Sequence, residues 1–525
     1  MNDQRLPDQF DEGAELSPNT ASGNGQTIKQ DSQPTHLARI GLLAGPLMGL
    51  LVLAVGAPAD LADGNHWAPA WTTLALLVWM AIWWVTEAIP IPVTSLLPLV
   101  VLPIAGVAPI ATVAAPYMHP IVVLLMGGFI FAKAIEQWGL HERIALNVVK
   151  RSAGSPAGLI GGFMFAAALL SMWISNSATA IMMMPIALSV AAALQTDDET
   201  RHRNFTFALL LGIAYACSIG GLGTPIGTPT NLIIIGYLNE QTGRTIGFAQ
   251  WAMLGIPAVL LLLPLAWFAL TRLSFRLSHF DTASARTSVE GRLEAMGAIS
   301  TPERRTAIIF ALVASLWAFR RPINEFQINL GGDPVAPFAG LTDHVIAIIA
   351  VLLCFLVPAG ERKDGRARIL DWKAAETIPW GVLLLFGGGM SLALAISSTG
   401  LSSYIGASLG FVGVLPTFLL ILVVCAVVLA LTEVTSNIAT ASALMPVLGA
   451  VAIETGVPVE VIAAPVALAA SCAFMLPMAT GPNAVVFATG KVPLKVMTSA
   501  GFRLNLVALL VVSFLAWLIA PMALR

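Results

Sequence analysis

Along residues 157 to 194, and again along 413 to 450, the chain is apolar at almost every position except in the middle, where a short polar tip interrupts it. The tips read Ser171-Met-Trp-Ile-Ser175-Asn176-Ser177 and Thr432-Glu-Val-Thr435-Ser436-Asn437-Ile438. Each stretch is about twice the roughly 20 residues that one helix needs to cross a bilayer, so the pattern predicts a hairpin of two helices with its turn buried in the membrane. Non-helical backbone at that depth is tolerated only where protein buries it or where it lines a watery cavity. The two tips therefore mark a candidate binding site.

The other apolar runs predict spans at about 38–57, 71–89, 93–108, 120–139, 204–238, 250–272, 304–320, 342–358, 379–400, 460–489 and 500–521, which makes eleven crossings besides the two re-entrant hairpins. Lys and Arg concentrate in alternate loops: Arg143, Lys150 and Arg151; Arg201 and Arg203; Arg276, Arg286 and Arg292; Arg362, Lys363, Arg366, Arg368 and Lys373; Lys491 and Lys495. Because cytoplasmic loops carry such an excess, the N-terminus is expected inside and the C-terminus outside. Residues 1–36 are polar and poor in large apolar groups, which predicts a disordered tail. They lack the basic start and apolar stretch of a cleavable signal peptide, so the first span is expected to stay in the membrane.

Five crossings separate the two hairpins, an odd number, so the hairpins enter from opposite sides and the halves are inverted. The repetition is visible in the residues. Leu124-Leu-Met-Gly127-Gly128 matches Leu383-Leu-Leu-Phe-Gly387-Gly388, and each half continues through its hairpin to a segment broken by Gly227-Thr228-Pro229-Thr230-Asn231 or Ala479-Thr480-Gly481-Pro482-Asn483. The domain plan is a first helix and loop at 37–70, a first repeat at 71–272, a polar cytoplasmic linker at 273–303 and a second repeat at 304–525. Such duplication after a lone first helix is a secondary-transporter plan.

Composition narrows the class further. Hydrophobic residues make up 57% and charged residues 11%, against about a quarter charged in soluble domains, and mean hydropathy is +0.83. The fold class is thus an all-α polytopic membrane protein whose main partner is the lipid bilayer. With a net charge of −2 and no continuous basic patch, nucleic acid is excluded as a partner. No HExxH or GxSxG motif occurs and no Asp lies in the interior of an apolar span, which argues against an enzyme and against any cofactor beyond a coupling ion. Cys217, Cys354, Cys425 and Cys472 lie in apolar segments without CxxC spacing and read as small core residues. A channel is the nearest rival, since re-entrant hairpins also build pores.

Each polar turn ends one half-helix and begins another, so four helix N-termini converge with free backbone N–H groups and partial positive charge, which suits an anion. Carbonyl oxygens and the Ser, Thr and Asn side chains of the same turns offer neutral oxygen cages for Na⁺, a hard cation. None of the four turns contains Arg or Lys, so the charge of a bound anion is balanced by helix dipoles and co-bound cations. Glu87 and Glu433, ionisable groups near or within spans, are functional candidates by the same reasoning.

The segments Ser171-Met-Trp-Ile-Ser-Asn-Ser, Gly212-Ile-Ala-Tyr-Ala-Cys-Ser-Ile-Gly-Gly-Leu-Gly-Thr-Pro-Ile-Gly-Thr-Pro, Leu431-Thr-Glu-Val-Thr-Ser-Asn and Ser471-Cys-Ala-Phe-Met-Leu-Pro-Met-Ala-Thr resemble the divalent anion/sodium symporter family, the Na⁺-coupled dicarboxylate carriers. The resemblance runs from about residue 40 to the end. It implies a homodimer in the cell (inner or plasma) membrane, with a scaffold and an elevator-type transport domain carrying several Na⁺ with a dicarboxylate such as succinate, malate or fumarate. An anion exchanger of the same fold, without net Na⁺ coupling, is the alternative. By the same resemblance the first Na⁺ site uses Ser171, Ser175, Asn176 and the Gly227 carbonyl, and the second uses Thr432, Thr435, Asn437 and the Ala479 carbonyl. The substrate then touches Asn176, Ser177, Thr228 and Pro229 on one side and Ser436, Asn437 and Thr480 on the other.

This chain departs from the family pattern at four places. The family's tips read Ser-Asn-Thr in both halves, whereas Ser177 and Ile438 stand here; the isoleucine removes a donor expected to reach a substrate carboxylate. Thr230 and Gly481 replace prolines of the usual Thr-Pro-Pro-Asn pattern, and Gly481 is expected to loosen the second loop.

Overall fold

The computed structural model describes residues 36–525 apart from 59–67, 153, 195–197, 278–280, 330–333, 361–366, 409–414 and 525. The expected tail, up to residue 35, thus lies outside the described residues. So do most of the first loop, the start of the second apolar stretch at 413–414, and Arg362, Lys363 and Arg366.

Regular structure among the described residues is helical, with isolated bridges at Ile328–Val335 and Pro358–Arg368 as the extended pairings. Among the described residues, ten helices are long and apolar enough to cross a membrane. Large side chains such as Leu43, Leu50, Leu260 and Leu510 stand more than half exposed on them, a surface suited to lipid tails. Length and composition thus distribute the spans differently from the expected eleven plus two hairpins. Both inner hairpin arms, Asn176–Ala193 and Asn437–Thr455, are among the ten. The stretches near 93–108, 342–358 and 460–489 instead yield the shorter helices Ile91–Ile104, Asp343–Leu356 and Val459–Ala470. The last is short because its apolar run is broken at the polar turn that follows Ala470.

The first helix, His36–Val55, packs on Pro69–Thr86 through Gly41, Gly45 and Gly49. A Cβ at Gly45 would stand 2.5 Å from Trp83, so the glycine seam is what lets the two helices approach. Two helices occupy the centre. Glu199–Gly220 is buried at every position from Phe205 onward, and Val459–Ala470 from Glu460 onward. A helix that is apolar all round belongs in a core. Each central helix leads into a break and then a short helix, Pro229–Thr242 in the first half and Gly481–Ala488 in the second.

The short helices cross over. Pro229–Thr242 packs on Asn437–Thr455 and Val459–Ala470 of the second half, while Gly481–Ala488 packs on Asn176–Ala193 and Glu199–Gly220 of the first. This exchange is what brings the four polar turns together.

The stretch between the halves is more than a connector. It holds the helix Ala283–Ala295, which lies against the amphipathic helix Leu140–Ser152 and against Asn176–Ala193. Ion pairs Lys150–Glu290 (3.3 Å) and Arg292–Glu142 (3.5 Å) join the two surface helices. Hydrogen bonds from Arg286 and Lys150 hold the Glu290 carboxyl below the usual carboxylate range. Arg143 reaches further, pairing with buried Glu303 and donating to the Gly297 carbonyl at 2.9 Å.

Candidate functional site

Four helices begin where the turns are: at Asn176, Pro229, Asn437 and Gly481. The preceding residues, Ser175, Thr228, Ser436 and Thr480, occupy the N-cap positions, the role that Ser and Thr fill best. Ser175 and Thr480 cap with their side chains, accepting from the N–H of Ala178 and Asn483 at 3.2 Å each. The hydroxyls of Ser436 and Thr228 cap nothing. The site thus has one self-capped and one open start in each half.

At the first tip, one terminal atom of the Asn176 amide faces acceptor oxygens and the other faces donors. One of its two terminal atoms lies 2.5 Å from Ser171 Oγ, 3.2 Å from the Cys217 carbonyl and 3.3 Å from the Gly227 carbonyl. With its NH₂ group turned there, the amide donates to them. With its oxygen turned there, four neutral oxygens converge on one point, the ligand chemistry of a hard cation. An amide can exchange these two faces by rotation within one envelope. Gly221 and Gly227 permit the approach, since a Cβ on Gly221 would stand 2.7 Å from Asn176 Oδ1 and one on Gly227 2.5 Å from the Gly221 carbonyl.

The second tip repeats the arrangement. Thr432 Oγ1 lies 2.7 Å from both Asn437 Oδ1 and the Ala470 carbonyl. A hydroxyl carries a single proton, so one of these oxygen pairs has no proton between it. Ser171, Asn176 and Gly227 thus stand together at the first tip with the Cys217 carbonyl, and Thr432 and Asn437 at the second with the Ala470 carbonyl. Thr435 lies in the second tip and Ala479 in the second break. Thr435 donates to Leu431 O at 2.8 Å and meets Thr440 Oγ1 at 2.5 Å, while Ala479 is buried in the turn with its N–H on Leu476 O. The residue of the second tip that shares the register of Ser175 is Ser436. Among the described residues no cluster of three His, Cys, Asp or Glu exists that could hold a metal.

The substrate-side residues also converge across the halves. A Cβ on Gly481 would lie 1.9 Å from Ser177 Oγ, so the first tip touches the second broken helix where a glycine stands. Gly481 is thus a close-approach position. Thr230 Oγ1 lies 2.8 Å from Ser471 Oγ and 3.2 Å from Thr228 Oγ1, which ties the two broken helices directly. Ile438 is half-buried and packs on apolar neighbours, where Ser177 in the other half carries a hydroxyl.

Three residues hold the turns. Asn231 Nδ2 donates to Gly221 O (2.9 Å) and Thr224 O (2.8 Å), and Asn483 Nδ2 to Ala473 O and Leu476 O (3.1 Å each). Glu433, only 6% exposed, accepts from the N–H groups of Phe474 (2.9 Å), Met475 (3.0 Å) and Leu476 (3.1 Å) and from Asn505 Nδ2 (2.6 Å). Its charge thus faces backbone dipoles and an amide; at the matching position of the first tip stands Met172. Glu87 is exposed and ends the helix Pro69–Thr86 at φ +47°, away from this cluster in the contacts it makes. The asparagines at 231 and 483 were legible as repeats of one motif position, but their part as braces needed the fold.

Matched polar turns set into a multi-pass, all-helical, lipid-faced body define a membrane transporter. The chain belongs to the family described by the sodium:sulfate symporter transmembrane region, whose family model matches residues 42–523. It is 38% identical over 490 residues to the sodium-dependent dicarboxylate transporter SdcS of Staphylococcus saprophyticus, covering 92% of this chain and 91% of that one. The protein of the same name from Staphylococcus aureus strain MRSA252 is also 38% identical, over 491 residues and 92% of each chain. Two solved structures share the fold at a TM-score of 0.58 each. They are the YdaH transporter of Alcanivorax borkumensis, at 16% identity over 93% of this chain and 99% of that one, and MtrF of Neisseria gonorrhoeae, at 13% over 94% and 96%.

Proposed function

We propose that the protein is a secondary active transporter that carries a small dicarboxylate of the succinate, malate or fumarate type together with Na⁺. The observation that carries this reading is the pair of neutral oxygen clusters at the two tips, one around Asn176 and one around Asn437, each beside open helix N-termini. The two SdcS relatives, named as sodium-dependent dicarboxylate transporters, support it.

In this reading Na⁺ ions occupy the clusters, with Ser171, Asn176, Cys217 and Gly227 around one and Thr432, Asn437 and Ala470 around the other. The anion lies between them, against Ser177, Thr228, Pro229, Ser436 and Thr480. No Arg or Lys stands in the turns, so the dianion's charge is met by helix N-termini and by the cations themselves. Binding of either then favours binding of the other, which is the thermodynamic content of coupling. The two hairpins are re-entrant and the halves inverted, with the N-terminus cytoplasmic and the C-terminus outside. The protein works as a homodimer, in which the hairpins and broken helices travel as one elevator-type body.

Counterflow in proteoliposomes tests this, using labelled mono-, di- and tricarboxylates and sulfate with and without Na⁺. Dicarboxylate uptake that rises with Na⁺ is expected. Uptake that is indifferent to Na⁺ but driven by internal anion would make the protein an exchanger, and sulfate preference would move the substrate class.

A further inference from the structure

We propose that Thr230 is a positioning residue for the transported anion, acting through a buried hydroxyl relay that runs Ser471, Thr230, Thr228 into the site. This deepens the symport reading above and rests on it.

The relay is closed on all sides. Thr228, Thr230 and Ser471 are 5%, 0% and 1% exposed, and their oxygens are spaced 3.2 and 2.8 Å apart. Beyond Ser471 the nearest acceptor is the Ala467 carbonyl at 3.4 Å. Three hydroxyls in a row have two fully connected proton orders. In one, Thr228 donates to Thr230, Thr230 to Ser471 and Ser471 to Ala467, so that lone pairs of Thr228 face the site. In the other, Ser471 donates to Thr230 and Thr230 to Thr228, and Thr228 turns its proton toward the site. Rotation about three C–O bonds interconverts them, with no net proton transfer.

Thr228 is free to serve as the terminus because it caps nothing, unlike Thr480, whose oxygen takes the Asn483 N–H. A carboxylate placed at the N-terminus of Pro229–Thr242 selects the second order, and each bond in the row polarises the next. The other half has no such relay: the residue matching Thr230 is Pro482 and the one matching Ser471 is Ile219, so neither position carries a hydroxyl. The two ends of the site therefore greet an anion differently.

The test uses the full chain, with Thr230→Val (same shape, no hydroxyl), Thr230→Ser and Ser471→Ala. Two quantities are read: Na⁺-dependent succinate uptake in proteoliposomes, and equilibrium succinate binding to the purified protein in Na⁺. Thr230→Val is expected to raise the KM and the dissociation constant about fivefold, from loss of a polarised bond to a charged group. The maximal rate and the Na⁺ half-saturation should stay within twofold. Thr230→Ser should restore wild-type values, and Thr230→Val with Ser471→Ala should be no worse than Thr230→Val alone, since the relay acts as a unit. A Thr230→Val KM within twofold of wild type overturns the proposal, as does a parallel fall in rate and Na⁺ affinity, or a Ser variant as poor as Val. Failure of the unaltered protein to take up any dicarboxylate with Na⁺ would instead sink the symport reading. Succinate binding unchanged by Thr230→Val in that case overturns the relay as well.

Discussion

Glu433→Gln isolates what the lone buried carboxylate at the tips contributes. The carboxylate accepts from three consecutive backbone N–H groups, of Phe474, Met475 and Leu476, and from Asn505. Glutamine keeps the shape but has one acceptor oxygen; if that oxygen serves Phe474 and Asn505, its NH₂ meets the N–H of Leu476 head-on. Hydrogen bonds to a charged group are worth about 1.5–3 kcal/mol each and neutral ones about 1, so losing one bond and weakening the others costs the segment about 3 kcal/mol. That segment begins four residues after Ala470, whose carbonyl completes the second oxygen cluster with Thr432. If half of the cost reaches the cluster, the Na⁺ half-saturation of uptake rises about tenfold. The assay is uptake in proteoliposomes across a Na⁺ series, paired with the melting temperature of solubilised protein, because a ligand that binds only the folded state raises it with concentration. A Na⁺ half-saturation equal to wild type in a variant that melts several degrees lower would refute the link between this clamp and the cluster.

Other substitutions probe separate parts. Arg143→Ala leaves Glu303, 3% exposed, without its guanidinium, and about 3 kcal/mol of stability should be lost, with partial recovery on adding Glu303→Gln; thermal melts check it. Gly220→Ala places a Cβ 2.3 Å from the Ala168 carbonyl, an overlap with backbone that should cost about 3 kcal/mol and lower the yield of folded protein in size-exclusion profiles. Gly481→Ala meets Ser177 Oγ at 1.9 Å, so succinate uptake should fall, and Ser177→Ala should return part of it. Ile438→Thr supplies a hydroxyl where the second tip lacks one and should lower the succinate KM about tenfold; unchanged or weaker uptake would show that this side chain, which packs on apolar neighbours, does not reach the anion.

Much of this arrangement is written in the order of residue types. The central Ser-Asn tips of two long apolar runs locate two helix starts and the Thr/Pro/Gly breaks locate the other two, because those turns offer capping residue types inside apolar surroundings. The pairs Ser171–Asn176 and Thr432–Asn437 follow from the five-residue spacing within each tip. What the order of residues does not reveal is whatever depends on contact between distant segments. The carbonyls of Cys217 and Ala470 are backbone groups with no side-chain signature. Thr230 and Gly481 look like lost prolines until Ser471 and Ser177 are seen beside them. Thr435 and Ser436 are both hydroxyl residues, and only the helix start at Asn437 shows which one holds the N-cap position. Span counting fails where a run is apolar throughout but is folded into pieces, as at Ile91–Ile104 and Val459–Ala470.

Asn231 and Asn483 stitch each interrupted helix to its own preceding turn, so neither gap is slack. On the elevator reading proposed above, a cargo hold with both seams sewn shut would be lifted bodily across a membrane without spilling its geometry, and the work of translocation would fall on surfaces that slide past one another.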